Sequence, residues 1–210
     1  MVSGDIEHSI LDIARRVLET EAASINSLVK QLDAGFEEAV EIMLGVKGHV
    51  VVVGVGKSGH VGRKVAATLA STGTPAFFVH AAEALHGDLG MITDEDVVLA
   101  ISNSGETEEI LRILPTIRRM GTKIISITAD RDSSLGKTSD VVLECRVDRE
   151  ADPLNLAPTS SSTASLAMGD ALAVALMSMR GTTSKDFHRL HPGGSLGKRL
   201  AESPCSLVLE

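Results

Sequence analysis

Tryptophan and tyrosine are absent from this 210-residue chain, and phenylalanine occurs only four times. Aromatic platforms that stack bases or sugar rings are therefore not to be expected. Cysteine is almost as scarce. Cys145 and Cys205 are too few for a disulfide framework and point to a reducing, cytoplasmic setting. Basic charge is in the minority, with 20 Lys and Arg against 28 Asp and Glu and a formal net charge of −8. A general nucleic-acid surface needs a basic footprint to displace counterions, which this balance argues against. A small anion remains compatible, because a few backbone N–H groups and one lysine can hold a phosphate locally. No run of ~18 uninterrupted apolar residues marks a membrane span. The opening MVSGDIEHS is acidic where a signal peptide is basic. Apolar residues at 43% and charged residues at 23% are those of an ordinary globular domain, and the length fits one domain.

The first segment reads as a long amphipathic helix, with Ile6, Ile10, Ile13, Val17, Ile25, Leu28 and Leu32 recurring mostly three or four apart. A second helix spans about Gly35 to Leu44. The period then changes. HVVVVGVG (49–56) is a continuous β-branched run closed by glycines, the mark of a strand buried on both faces. Similar runs recur at 76–79, 96–102, 123–128 and 140–144, with helix-length segments between them, notably 58–72 and 106–119. Strands alternating with helices predict βαβ units and a parallel, doubly wound sheet covered by helices. Such a sheet binds its ligand outside the carboxyl ends of its strands. That rule singles out GVGKSG (54–59), HAAEALHGD (80–88), SNSGET (102–107), TADRDS (128–133) and ECRVDRE (144–150). Residues 151–163 read as a Pro- and Ser/Thr-rich loop before a helix from about 163 to 179 that is apolar on nearly every side.

SNSGET begins where the third strand ends. Ser102, Ser104 and Thr107 offer hydroxyls, Gly105 permits a tight turn, and the new helix points unpaired N–H groups outward. That is the chemistry of a monophosphate cradle. The bland alternative is an ordinary cap, with Ser104 as N-cap and Thr107 or Glu108 closing the box. GVGKSG also fits G-x-G-x-x-G, but His80 stands where a ribose-binding acid belongs, and Val51 stands where a Walker A loop needs glycine. What remains is a glycine turn placing Lys57 and Ser58 at a helix N-terminus beside the serine loop. Gly56 and Asn103 complete the substrate-binding candidates in these two loops.

The same rim carries His80, Glu83, His86, Asp88, Glu106, Glu108, Glu109, Asp148 and Glu150, with His188 and His191 after the last helix. Glu106 and Glu108 read as dipole partners in a helix's first turn, whereas Glu109 could face the crevice. A zinc site from His86, His191 and Cys145 has no diagnostic spacing, and Cys145 reads as a buried thiol. The residues support acid–base chemistry on a phosphorylated metabolite, with no metal or other cofactor.

VVVGVGKSGHVGRKVAATLASTGTPAFFVHAAEALHGDLGMI, SNSGET, VDREADPLNLAPTSSS, MGDALAVALM and HPGGSLGKRL together resemble the sugar isomerase (SIS) domain of the arabinose-5-phosphate isomerase family, over about residues 5 to 200. SNSGET alone indicates the SIS superfamily; GKSGH, EALHGDLG, DREADP and the HPGG turn narrow the match. The resemblance implies a three-layer α-β-α sandwich with a five-stranded parallel sheet and an N-terminal helical arm (1–47) before a core at 48–200. It also implies a homotetramer, and the interconversion of D-ribulose 5-phosphate and D-arabinose 5-phosphate that feeds Kdo and lipopolysaccharide synthesis. Carried over residue by residue, Ser58, Ser102, Ser104 and Thr107 resemble the phosphate contacts, and Lys57, His86, Glu109, Glu150 and His191 resemble the catalytic set. Glu150 is then the proton-transfer base with Glu109 as runner-up, Lys57 the electrostatic stabiliser, and a histidine the ring-opening group. Many relatives continue into a pair of CBS domains, whereas this chain stops soon after HPGGSLGKRL, as either a truncation or a short form with a tail at 201–210, so control through CBS domains is not claimed. Competing readings are a sugar-phosphate-sensing SIS module and an SIS isomerase of another sugar phosphate.

Overall fold

A computed structural model describes residues 9–191. The first eight residues, the Pro-Gly-Gly turn after His191, Cys205 and the 201–210 tail lie outside the described residues. The five apolar runs form five strands: β1 (Val50–Gly54), β2 (Ala76–His80), β3 (Val97–Ile101), β4 (Lys123–Thr128) and β5 (Val141–Glu144). All pair in parallel, in the order β2-β1-β3-β4-β5. The valines of β1 are fully buried because both faces are covered. Val50 and Val52 face one layer and Val51 and Val53 the other, as the two-residue period of a strand requires.

The first layer holds α2 (Ala34–Leu44), α3 (Gly56–Ser71) and α7 (Ser160–Met179), with α1 (Ile10–Leu28) laid along α7. The second holds α4 (Ala81–Ala84), α5 (Glu108–Arg119) and α6 (Ser134–Thr138). The fold is the expected α-β-α sandwich with a helical N-terminal region. Three helix starts move by two residues or more. α3 begins at Gly56 rather than 58, α5 begins at Glu108 rather than 106, and α7 begins at Ser160, three residues before the expected 163. A last helix, α8 (Ser184–Leu190), ends at His191.

α7 is long and apolar enough, by length and composition, to cross a membrane. Here it packs against α1, α2 and α3 as a core helix does. Its approach to α3 is close: a Cβ on Gly169 would lie 2.4 Å from Val65 Cγ2. The outer faces are less well covered, with Ile10 85%, Leu18 69% and Val29 70% exposed on and after α1, and Val174 55% exposed on α7.

Candidate active site

β1 and β3 are neighbours whose following helices leave for opposite faces, α3 to the first layer and α5 to the second. That is the topological switch point, where a crevice opens at the carboxyl ends of the strands. On the β1 side the chain turns through Gly56, at φ +56°, straight into α3. On the β3 side, Ser102 Oγ accepts from Gly105 N at 3.1 Å and lies 2.8 Å from Thr107 Oγ1. Ser104 Oγ accepts from Glu106 N at 3.2 Å.

The loop is clamped from its β4 flank. Asn103 O accepts from Ala129 N at 2.9 Å, and Gly105 O from Leu135 N at 3.0 Å. Glu106 Oε1 accepts from Ser134 N at 2.7 Å, which holds its carboxyl below the usual range. Gly105 has φ +67°, and a Cβ there would lie 2.0 Å from Ser133 Oγ, so no other residue fits without a shift. Two sequence expectations are thereby corrected. The N-cap of α5 is Thr107, without a side-chain cap, rather than Ser104. Glu106 precedes the helix and is spent on the first turn of α6 instead of on its own dipole.

A cleft of about 300 Å³ opens between these loops, lined by Lys57 and Ser58 on one side and by Ser102, Asn103, Ser104 and Thr107 on the next. The third wall is the start of α7, with Ser161, Ser162 and Ser165. Neither α3 nor α5 has a side-chain cap, so both send unpaired N–H groups and a positive dipole end toward the cleft. Among the described residues no carboxylate pairs with Lys57. An uncommitted ammonium beside two uncapped helix ends makes an anion cradle.

Glu150 stands behind the α7 wall. Its Oε2 accepts from Thr159 N at 2.8 Å, Thr159 Oγ1 at 3.1 Å and Ser161 N at 3.2 Å, and its Oε1 takes the Ser161 hydroxyl. Burial pushes its carboxyl up, but the Ser161 hydroxyl and the donors of Thr159 and Ser161 outweigh it and hold the group below its ordinary value. Glu109 is half-buried in the first turn of α5, two residues past Thr107.

The two histidines lie apart from this cleft. His86 is exposed, past α4 at the end of the edge strand β2. His191 closes α8, stacks on Phe187 with ring centroids 4.0 Å apart, and donates from Nδ1 to Phe187 O at 2.8 Å. From Ser165, the last cleft-lining residue on it, α7 carries the chain about 21 Å to Met179 at 1.5 Å per residue. At its far end Arg180 bonds Met43 O, and Thr182 neighbours Gly73 at the entry to β2. The short α8 adds only about 10 Å, and His191 does not line its own chain's cleft.

The sequence does not single out Ser161 and Ser162, because TSSST reads as loop, nor Ser165, which reads as part of the apolar helix. A signal is nevertheless there: hydroxyls ahead of an apolar helix, the same arrangement as SNSGET. Cys145 is 1% exposed, and burial raises its thiol to about 11, as suits a packed thiol. Among the described residues, no group of three or more His, Cys, Asp or Glu is arranged to hold a metal ion.

A parallel sheet with an anion cradle at its switch point defines a doubly wound α/β domain shaped for a small anionic ligand. The chain belongs to the SIS domain family, whose model matches residues 43–175. It is 57% identical over 187 residues to the arabinose 5-phosphate isomerase KdsD of Pseudomonas aeruginosa, covering 89% of this chain and 57% of that protein. To the arabinose 5-phosphate isomerase KpsF of Escherichia coli CFT073 it is 50% identical over 199 residues, covering 94% of this chain and 61% of that one. The chain thus spans about three fifths of the length of these relatives. A solved structure from E. coli CFT073 in complex with arabinose 5-phosphate superposes with a TM-score of 0.85 at 44% identity, covering 91% of this chain and all of that one.

Proposed function

We propose that this chain is the isomerase domain of an arabinose-5-phosphate isomerase, interconverting D-ribulose 5-phosphate and D-arabinose 5-phosphate through an enediol(ate) and so feeding Kdo and lipopolysaccharide synthesis. The observation that carries the reading is the anion cradle at the β1/β3 switch point, with Lys57 unpaired beside the Ser102–Thr107 hydroxyls. The names of relatives at 50–57% identity supply the sugar.

In this reading the phosphate sits on Ser58, Ser102, Ser104 and Thr107, with Gly56 and Asn103 shaping the loops. Proton transfer between C1 and C2 needs a base at the carbon and positive charge where the enediolate oxygen develops. The base is Glu150, whose Oε1 accepts one hydrogen bond and keeps a second lone pair, with Glu109 as the alternative. Lys57 stabilises the oxyanion. Ribulose 5-phosphate cannot close through its esterified O5, whereas arabinose 5-phosphate closes through O4, so one direction also needs a ring-opening acid, assigned to His86 or His191. Because His191 does not line its own chain's cleft, its role is assigned through a second copy of the chain. Exposed apolar residues on α1 and α7 support self-association, as a homotetramer. The rest of the proposal is one SIS unit over residues 1–200 and a cytoplasmic, cofactor-free enzyme.

The test is a coupled assay over a panel of pentose and hexose phosphates and the free sugars. Turnover confined to the arabinose/ribulose pair supports the reading, and equal turnover of unphosphorylated arabinose overturns it. Glu150→Gln and Glu109→Gln, compared at saturating substrate, identify the base as the one whose loss lowers kcat by about 10²-fold or more.

A further inference from the structure

The hydroxyls around the cleft differ in what they can still offer a ligand. A serine hydroxyl carries one proton and two acceptor lone pairs. On the β3 side the protons are available. Ser104 Oγ is occupied only as an acceptor, from Glu106 N, and the Ser102–Thr107 pair uses one proton between two hydroxyls. On the α7 side every proton is committed. Ser162 Oγ lies 2.9 Å from both Pro158 O and Thr159 O, and Ser165 Oγ donates to Ser161 O at 2.8 Å. Ser161 Oγ is bound to Glu150 Oε1, and an ionised carboxylate only accepts, so the serine must donate to it. Among the described residues no donor occupies the Ser161 Oγ lone pairs.

We infer that the α7 wall of the cleft is an acceptor-only surface that reads the hydroxyls of the substrate's carbon chain, with Ser161, fixed by Glu150, as its specificity-determining residue. The inference rests on the phosphosugar reading and adds the orientation of the ligand within the site. A phosphate dianion has only acceptors and is matched by the two helix ends and the free protons of the β3 loop. Against the α7 wall it would meet lone pairs. A polyol hydroxyl can donate, and there it finds the lone pairs of Ser161 and Ser162 waiting. The cleft therefore sorts the two ends of a sugar phosphate by hydrogen-bond polarity.

The test measures binding rather than turnover, using inorganic phosphate and the non-isomerisable polyol D-arabinitol 5-phosphate as probes, with thermal melts to confirm folding. Ser161→Ala should weaken the polyol phosphate about 5-fold, the size of one neutral hydrogen bond, and leave phosphate within about twofold. Ser104→Ala should weaken both probes. Ser161→Thr keeps the hydroxyl and should restore the difference, while Ser162→Ala should repeat the selective loss if Ser161→Ala fails to fold. Equal weakening of both probes by Ser161→Ala, or of neither, overturns the inference, as does a wild type that binds the two probes equally. A wild type inactive on pentose phosphates, with the selective Ser161→Ala loss intact, sinks the isomerase reading and leaves the polarity of the cleft standing.

Discussion

Gly169 sits in the middle of α7, where helix propensity and packing predict opposite results for alanine. In an exposed helix interior, glycine to alanine stabilises by about 1 kcal/mol. Here the new Cβ would come 2.4 Å from Val65 Cγ2 and 2.9 Å from Cγ1, against the ~3.5–4.0 Å at which carbon atoms attract. Val65 is fully buried in α3 and has no room to step aside. Overpacking of this kind costs about 1–3 kcal/mol, so Gly169→Ala should range from neutral to about 2 kcal/mol destabilising once the ~1 kcal/mol propensity gain is set against it. Val65→Ala alone removes two methyl groups and leaves a cavity, for a loss of about 2 kcal/mol. The double variant removes the clash and fills part of the cavity, so it should be no less stable than Val65→Ala by itself. The assay is urea unfolding of all three variants at pH 7, checked by melting, where about 2–4 °C accompanies each kcal/mol in a domain of this size. A coupling of about 1–3 kcal/mol is expected for residues in contact. Gly169→Ala stabilising by the full propensity value, or a double variant equal to the sum of the singles, would refute the reasoning. The same contact spaces the Lys57 and Ser161 walls, so Gly169→Ala should also raise KM.

Ser104→Ala should raise KM for the pentose phosphate with kcat within a few-fold, because phosphate contacts are alike in ground and transition states; a kcat loss with unchanged KM would contradict the phosphate role. Mixing His191→Asn with Lys57→Ala, each inactive alone, should recover activity after subunit exchange, and a mixture still dead after confirmed exchange would sink the shared site. Asp140 is partly buried, which pushes its carboxyl up, but the Ile124 amide, Arg118 and Lys123 outweigh this and hold it below its usual value. A depressed folded-state value stabilises above the ordinary carboxylate range and is lost as pH falls through the lowered one. Asp140→Asn should accordingly destabilise at pH 7, and the gap to wild type should close on acidification below about pH 4; a gap independent of pH in urea unfolding would count against it.

The layered sheet was legible because each strand carries a short continuous apolar run, and in β1, β3 and β4 that run is the pattern that burial on both faces imposes. The β1 and β3 loops were legible because glycine and hydroxyl residues follow those runs directly. The α7 wall was not. Its first turn is TSSST, and whether such a run coils or caps depends on a carboxylate arriving from outside it, Glu150, which holds Thr159 and Ser161 across nine and eleven residues. His191 belonged on paper to the same set as Lys57. Its place outside the cleft lining follows from the course of α7 and α8, which no local pattern around His191 encodes.

The clamped loop after β3 also bears on protein engineering. Its carbonyls and its one carboxylate are held by amides of Ala129, Ser134 and Leu135, and its glycine turn rests against Ser133. The residues that fix its shape therefore lie on the β4 side, some thirty positions downstream, and none of them lines the cleft. SNSGET is not a portable cassette. Grafted onto another parallel sheet without the segment 128–135, it should lose its anion-binding geometry even with every ligand-facing residue intact, and the smallest transplantable unit is β3 through α6.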